Sequence, residues 1–323
     1  MKRKRLLLLS IVLLVIVLFS TGLFLLPKCQ NQKTLFRVAL NIWPGYEILY
    51  LAKSLGYYEN LPIRFVEVPS TSMVLRGLRN GTLEAGCVTL DEAISLLQDS
   101  IDIRVILVFD ESRGGDVIMA RPEIKSLNEL RGKRIGLENS TVSAVLLDAA
   151  LVEANLKVED VTLVPMSISE HLQGYLNGKV DAVATFEPVR SQLIDQNAKI
   201  LFSSEKIPGR ILDILVVRTE IIDNYSNELT ALLNGYFKAL SYFKRYPTKA
   251  SKMLEKRLGK NVLNQFNGLY LPNLTDNYNY LKGENPRLIS STTALIPLML
   301  KRNLLRKNVY FKQFAEPKFL PKD

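Results

Sequence analysis

The chain has 323 residues, 47% of them hydrophobic and 23% charged, which is typical of a globular protein of about two domains and excludes a disordered chain. Two cysteines and one histidine cannot supply the four Cys or His ligands of a structural zinc site. The formal charge of +10 sits at the ends: residues 1–34 hold six basic and no acidic side chains, residues 301–323 hold seven and two, and the rest has a net charge of −1. Nucleic-acid-binding proteins carry basic residues on the folded surface, so this distribution argues against nucleic acid as a partner.

The first predicted element is an N-terminal membrane helix. Residues 6–26 carry no charge and would be about 31 Å long as a helix, which matches a hydrocarbon core of about 30 Å. The four basic residues at 2–5 predict that the N-terminus stays in the cytoplasm and that the body is exported. Because residues 24–28 offer no small side chains for a signal peptidase, we expect an uncleaved anchor to the cytoplasmic membrane. Lipid attachment at Cys29 and release of a soluble body are the alternatives.

Alternating strands and helices follow from residue 35. Alternation of apolar and polar residues predicts a first strand at 36–42, which Pro44 and Gly45 end. Helical and strand periodicities then predict helices at 48–55, 73–79 and 92–98 and strands at 63–68, 84–90 and 103–109. Repeated βα units indicate an α/β fold with an open, mostly parallel sheet.

A second series of units begins after Pro122. It predicts strands at 133–137, 161–166, 181–185, 199–202 and 211–218, and helices at 127–130, 142–154, 169–177 and 189–196. From residue 229 the pattern is helical. Two α/β lobes place a ligand in the crevice beyond the carboxyl ends of the strands.

Several spaced segments of the chain resemble a known family. They run in order from Val38 to Arg218 and read WPGYEILYLAKSLGYYE, VPSTSMVLRGLRNGTLEAGCVTLDEAISL, VFDESRGGDVIMA, SLNELRGKRIGLENST, LNGKVDAVATFEP and PGRILDILVVR. As a set they are similar to the substrate-binding proteins of ABC importers for nitrate, sulfonates, taurine and thiamine precursors. The resemblance implies a two-lobe periplasmic-binding-protein fold of type II with a double-crossover hinge. It implies an anchor and linker at 1–34, lobe one at 35–120 plus 215–323, and lobe two at 121–214.

Loops at the predicted strand ends supply the candidate ligand-binding residues of lobe one. The first βα loop offers an aromatic wall and a helix N-terminus, through Trp43, Tyr46 and Glu47. Two further loops carry hydroxyls that serve either as helix caps or as ligand donors, and the resemblance favours the ligand role for Ser70, Thr71 and Thr89. Asp91 is a helix cap or a ligand group, and Ser112 and Asp116 belong to the cleft or the hinge.

The remaining candidates lie in lobe two and on the return strand. Ser140 and Thr141 open a helix whose free amides form an anion site. Glu187 and Asp213 each stand at a strand end. Buried carboxylates need partners, so those that form no salt bridge between the lobes favour a ligand with an amine or ring-nitrogen donor over bare nitrate.

We therefore expect an extracytoplasmic substrate-binding protein that closes two lobes over a small polar solute (sulfonate, nitrate, taurine or thiamine-precursor-like) and delivers it to an ABC permease, without cofactor or metal. An enzyme of the same fold, similar to pyrimidine synthases or small-acid dehydratases, and a membrane-tethered solute sensor are the alternatives. We expect Cys87 to be a buried free thiol and His171 to lie on the surface of a helix.

Overall fold

The computed structural model describes residues 35–322. The predicted membrane helix at 6–26 and Cys29 lie outside the described residues. Within the described part of the chain, no helix combines the length and the apolar character needed to cross a membrane.

The described strands form two sheets. The first has the spatial order β11–β4–β10–β3–β1–β2 and consists of β1 (Phe36–Leu40), β2 (Ile63–Glu67), β3 (Ala85–Thr89), β4 (Ile103–Ser112), β10 (Leu212–Arg218) and β11 (Leu269–Tyr270). The second has the order β7–β6–β8–β5–β9 and consists of β5 (Val117–Ala120), β6 (Arg134–Leu137), β7 (Thr162–Pro165), β8 (Ala182–Thr185) and β9 (Lys199–Ser203). We call the parts of the chain built on these sheets the first and the second lobe.

Helices follow most of the strands, as the apolar periodicity predicts. Their bounds in the first lobe are α1 (Glu47–Ser54), α2 (Thr71–Arg79), α3 (Leu90–Gln98), α7 (Ser226–Arg245), α8 (Pro247–Leu258), α9 (Val262–Gln265), α10 (Leu274–Leu281) and α11 (Arg287–Lys301). Those in the second lobe are α4 (Thr141–Glu153), α5 (Ile168–Leu176) and α6 (Val189–Ile194).

Most strands of each sheet run in one direction, as predicted, and both sheets also contain reversed strands. In the first sheet β1 is parallel to β2 and β3, whereas β10 is antiparallel to β3 and β4 and β11 is antiparallel to β4. In the second sheet β6 is parallel to β7 and β8, whereas β5 is antiparallel to β8 and β9. The chain enters the second sheet through β5 and returns to the first sheet through β10, and both of these strands are reversed. They therefore start at the sheet edge where the βα strands end.

The chain passes between the sheets twice, and we call these two passages the hinge. The chain crosses at residues 113–116 and returns at residues 204–211. The predicted lobe boundary at 120 falls after β5, although β5 pairs with strands of the second sheet, and the boundary at 214 falls inside β10. The fourth strand also runs to Ser112 instead of ending at Phe109, because its last residues pair with β10.

One helix of the second lobe packs against the first lobe. Val145 of α4 is buried in the hydrophobic core of the first sheet. Asp148, one turn further along α4, forms an ion pair with Arg302, which follows α11. Cys87 lies in that same core of the first lobe and is fully buried and free, as predicted.

Candidate functional site

A cavity of about 420 Å³, the main cavity, lies where strands of both sheets end. Residues that follow β1, β2 and β3 line it from the first lobe, and residues that follow β6, β7 and β8 line it from the second. This is the position that open α/β sheets use for ligands. The lining residues are Asn41, Trp43, Tyr46, Ser70, Thr71, Ser72, Thr89, Glu92, Asp116, Glu138, Asn139, Ser140, Val142, Pro165, Met166, Ser167, Phe186, Ile211 and Asp213.

The first βα loop covers two buried aspartates. Trp43 Nε1 donates a hydrogen bond of 2.9 Å to Asp110 Oδ2, and the Tyr46 hydroxyl donates to Asp213 Oδ1. Gly45 allows the close approach, because a Cβ there would lie 1.8 Å from Asp110 Oδ2. The aromatic residues predicted as a ligand wall therefore also hold the carboxylates beneath them.

Strand register brings these aspartates together. Asp213 of β10 pairs with Thr89 of β3 on one side and with Asp110 of β4 on the other. Carboxylates on adjacent strands repel when both are charged, and neither is exposed to water. Burial, together with the charge of Asp110, raises the pKa of Asp213 well above its usual range.

Asp116 joins the hinge to the main cavity. Its amide donates to Ser112 Oγ at 3.1 Å, and Ser112 Oγ lies 2.8 Å from Ser204 Oγ of the return passage. The Asp116 carboxylate is 5% exposed and lines the cavity, and its Oδ2 has no hydrogen-bond partner among the described residues. Burial raises the pKa of Asp116 to about 7. Ser112 itself is buried in the hinge and does not line the cavity.

Two more carboxylates face the main cavity. Glu92, in the first turn of α3, accepts a hydrogen bond of 2.9 Å from the Thr89 amide. Burial, with a further contribution from the charge of Asp91, raises the pKa of Glu92 to about 8. Glu138, which follows β6, also has its pKa raised by burial.

The start of α4, predicted as an anion site, has a side-chain cap and a carboxylate close by. Ser140 Oγ accepts from the Ser143 amide at 3.4 Å and donates to Ser143 Oγ at 3.0 Å. Ser140 lines the main cavity together with Glu138, whereas Thr141 lines neither this cavity nor the next one. A negative charge two residues before the cap disfavours an anion at this helix start.

A second cavity of about 600 Å³, the side cavity, shares Asn41, Ser70, Thr71, Glu138 and Phe186 with the main cavity. Glu187 lines it but is fully buried, and it accepts 2.8 Å and 3.0 Å hydrogen bonds from Arg190 Nη1 and Ser191 Oγ. Its partners come from its own helix start, so Glu187 already has a counter-charge.

The structure thus brings most of the predicted site residues to one place. Eight line the main cavity, namely Trp43, Tyr46, Ser70, Thr71, Thr89, Asp116, Ser140 and Asp213. Glu47 does not line it: this fully buried residue pairs with Arg257 of α8, whose Nη2 lies 2.9 Å from Glu47 Oε1. Asp91 lies buried behind the cavity wall, and the capping position of α3 that we considered for it is held by Thr89.

Other lining residues were missed by the sequence reading. Asn41, Glu138, Met166 and Phe186 each follow a strand within one or two residues, so their position at a strand end was the available signal. Phe186 packs edge-to-face on Trp43, with ring centroids 5.7 Å apart, and so joins the two lobes across the cavity.

His171 is buried instead of lying on the surface, so that prediction is wrong. Its Nδ1 lies 3.0 Å from Thr185 Oγ1 of β8, because α5 turns this residue towards the second sheet. Burial lowers the pKa of His171 to about 4. The described residues contain no cluster of three or more His, Cys, Asp or Glu side chains arranged to hold a metal ion.

The family model described as "NMT1/THI5 like" matches residues 43–250, which include the hinge, the whole second sheet and the first sheet except β1 and β11. The chain belongs to this family. A provisionally named thiamine biosynthesis protein of Haemophilus influenzae is 24% identical over 242 residues, 72% of this chain and 76% of the relative. The taurine-binding periplasmic protein of Escherichia coli is 21% identical over 53% of this chain and 54% of its own length.

The fold is also that of solved binding proteins. The periplasmic aliphatic sulphonate-binding protein SsuA of Escherichia coli superposes with a TM-score of 0.72 at 18% identity, over 87% of this chain and 97% of that one. The two-lobe periplasmic-binding-protein fold predicted from the sequence is confirmed.

Proposed function

We propose that this chain is the extracytoplasmic substrate-binding component of an ABC importer. It captures a small polar solute between its lobes, closes over it and presents it to a permease in the membrane. The family membership supports this function, and so do the names of two similar proteins, which are periplasmic binding proteins.

One observation carries the proposal. The main cavity is built from strand ends of both lobes, and only the two hinge passages connect the sheets through the backbone. Rotation at the hinge therefore changes the distance between the cavity walls, as in hinge-closing binding proteins. The contact between Trp43 and Phe186 is where the walls meet.

The described part of the chain places its thiol and its imidazole away from both cavities, which speaks against the enzyme alternative. Among the described residues, the lining of both cavities contains no Cys or His. Cys87 is buried in the first core with its pKa raised by burial, which makes its thiol a poor nucleophile. His171 is buried against β8 and lines neither cavity.

The position of the body outside the cytoplasm rests on the basic N-terminal cluster and apolar segment of the sequence. We propose that this segment stays as an anchor, so that the binding protein works beside its permease. The names of the relatives cover sulphonate, taurine and thiamine biosynthesis, so the family alone does not define the solute.

Trp43 provides the test, since it is the only tryptophan of the chain and lies in the cavity wall. For the experiment, the full chain with Cys29→Ser is solubilised in detergent. One dye is attached to each lobe through Lys179→Cys and Lys256→Cys, which are exposed positions. Sulfonates, taurine, nitrate, aminopyrimidines and flavins are titrated. A true ligand changes Trp43 emission, shortens the dye distance and is recovered unchanged by mass spectrometry. Chemical conversion of a ligand, or saturable binding without a change in dye distance, contradicts the proposal.

A further inference from the structure

In the described part of the chain, the Asp and Glu side chains in the wall of the main cavity have no basic residue beside them in that wall. Glu92, Asp116, Glu138 and Asp213 line it, and none of the described residues that line either cavity is Lys, Arg or His. The side cavity adds Glu67 and Glu187. A site that selects an anion by charge needs the opposite arrangement.

Nearby guanidinium groups are already engaged elsewhere. Arg190 pairs with Glu187, Arg257 with Glu47 and Glu67, and Arg113 with Glu111. Within residues 35–322, none of the four carboxylates of the main cavity has a salt-bridge partner within 4.0 Å. The counter-charge for this wall is therefore not supplied by the described part of the protein.

Asp116 is the clearest acceptor without a donor. It is 5% exposed, it lines the main cavity, and its Oδ2 has no hydrogen-bond partner among residues 35–322. A buried carboxylate oxygen without a donor is costly, whereas an N–H group from a ligand would satisfy it. Asp110 differs because it does not line the cavity and its Oδ2 accepts from Trp43, and Asp213 differs because Tyr46 donates to its Oδ1.

The partial positive charges at the helix N-termini do not outweigh the acidic residues of the cavity wall. The N-termini of α2, α3 and α4 reach the cavity, and each carries about half a positive charge. However, Glu92 lies in the first turn of α3 and Glu138 lies two residues before the cap of α4, so a carboxylate accompanies two of the three helix starts. The start of α2, with Ser70 and Thr71, has no acidic residue in its first turn and suits the polar end of a ligand.

The remaining wall is apolar or aromatic. Trp43 and Phe186 face the same space, with Met166, Val142 and Ile211 beside them. Aromatic faces attract cations as well as flat rings. The ligand that satisfies both parts of the wall has N–H donors carrying positive charge and a small apolar body.

We propose that the cleft selects a small organic cation, a protonated nitrogen base whose N–H groups reach Asp116, and rejects sulfonates and other anions of the same size. This rests on the proposed solute-binding function and specifies the charge class of its solute. The chain would then differ in ligand charge from the sulphonate-binding protein whose fold it shares.

The test uses three probes of nearly identical shape: benzamidine as the cation, benzamide as the neutral form and benzoate as the anion. Calorimetric titration of the full chain in detergent at pH 8 should show benzamidine binding at least about 10-fold more tightly than benzamide, and no binding of benzoate. Asp116→Asn should weaken benzamidine by about 10- to 100-fold and leave benzamide within about 3-fold, as expected for loss of one charge-assisted hydrogen bond. Asp195→Asn, an exposed aspartate of the second lobe, is the matched control.

The outcomes separate this inference from the function on which it rests. Tighter binding of benzoate or benzamide than of benzamidine overturns the charge selection, and so does a failure of all three to bind. An equal loss of benzamidine and benzamide affinity in Asp116→Asn also overturns it, because the residue then acts through shape. In each case the proposed transport function still stands if another solute shortens the distance between the lobe dyes. It fails only if a ligand is chemically converted or binds without changing the dye distance.

Discussion

Stability of the empty protein should fall as the pH rises, and Asp116 should account for a defined part of the fall. Burial raises the pKa of this carboxyl to about 7, against about 3.9 in an unfolded chain. Between these values the folded state keeps a proton that the unfolded state has released, so raising the pH favours unfolding. Between pH 5 and pH 8 this amounts to about 2–3 kcal/mol for a single group with these pKa values.

The assay compares the wild-type chain with Asp116→Asn, whose amide does not titrate. Urea unfolding followed by far-ultraviolet circular dichroism at pH 5, 6, 7 and 8 gives the free energy of unfolding for each. The other carboxylates packed around this residue, Asp91, Asp110 and Asp213, also titrate, so the difference between the two curves is the relevant quantity. We expect the curve of the variant to be flatter by about 2 kcal/mol or more and the variant to be more stable than wild type at pH 8.

Parallel curves for wild type and Asp116→Asn would refute the reasoning, because they would mean that Asp116 is solvated in the empty protein. We would then expect open lobes that expose this carboxylate to water. Asp195→Asn, which alters an exposed aspartate, should reproduce the wild-type curve at every pH and so checks that the effect depends on burial.

Three further outcomes are expected. Gly45→Ala should lower the free energy of unfolding by about 2–4 kcal/mol in urea, because its Cβ would displace Asp110 Oδ2 from Trp43, and a wild-type midpoint would contradict the contact. Between pH 6.5 and 4 the unfolded chain binds a proton at His171 that the folded chain does not bind, so the wild-type free energy of unfolding should fall by up to about 3 kcal/mol. His171→Gln should remove this fall, and an unchanged acid midpoint would argue against the burial of His171. Cys29→Ser should leave the chain in the carbonate-washed membrane fraction with residues 1–28 intact, and a mature N-terminus near residue 29 by mass spectrometry would disprove the uncleaved anchor.

The sequence was informative where local pattern decides structure. Before residue 226, apolar periodicity located most strands and helices to within a few residues, and eight of the residues predicted from strand ends line one cavity. Contacts between segments that lie far apart in the chain could not be predicted from local pattern. Glu47 looks like a ligand group until Arg257, 210 residues later, is seen to neutralise it. The direction of β5 and β10 is likewise set by the passage between lobes, which no local pattern records.

The burial of His171 and the pairing of Glu187 show the same limit at shorter range. Both lie in loops or helices whose polar pattern also fits a solvated surface. Which side of α5 faces the second sheet depends on the packing of β8 beneath it, and Thr185 of that strand supplies the partner of His171. Glu187 turns to Arg190 and Ser191 at the start of its own helix instead of projecting into the space beside it.

Helix α4 connects the wall of the main cavity with the contact between the two lobes. Its cap, Ser140, lies in the cavity wall, while Val145 and Asp148 fix its middle to the first lobe. From Ser140 to Asp148 the helix measures about 12 Å, so a turn of about 10° around the Asp148–Arg302 contact moves the cap by about 2 Å. That distance is comparable to making or losing a hydrogen bond. If the lobes close as proposed, the Asp148–Arg302 ion pair therefore limits how far the cap of α4 moves in the cavity wall.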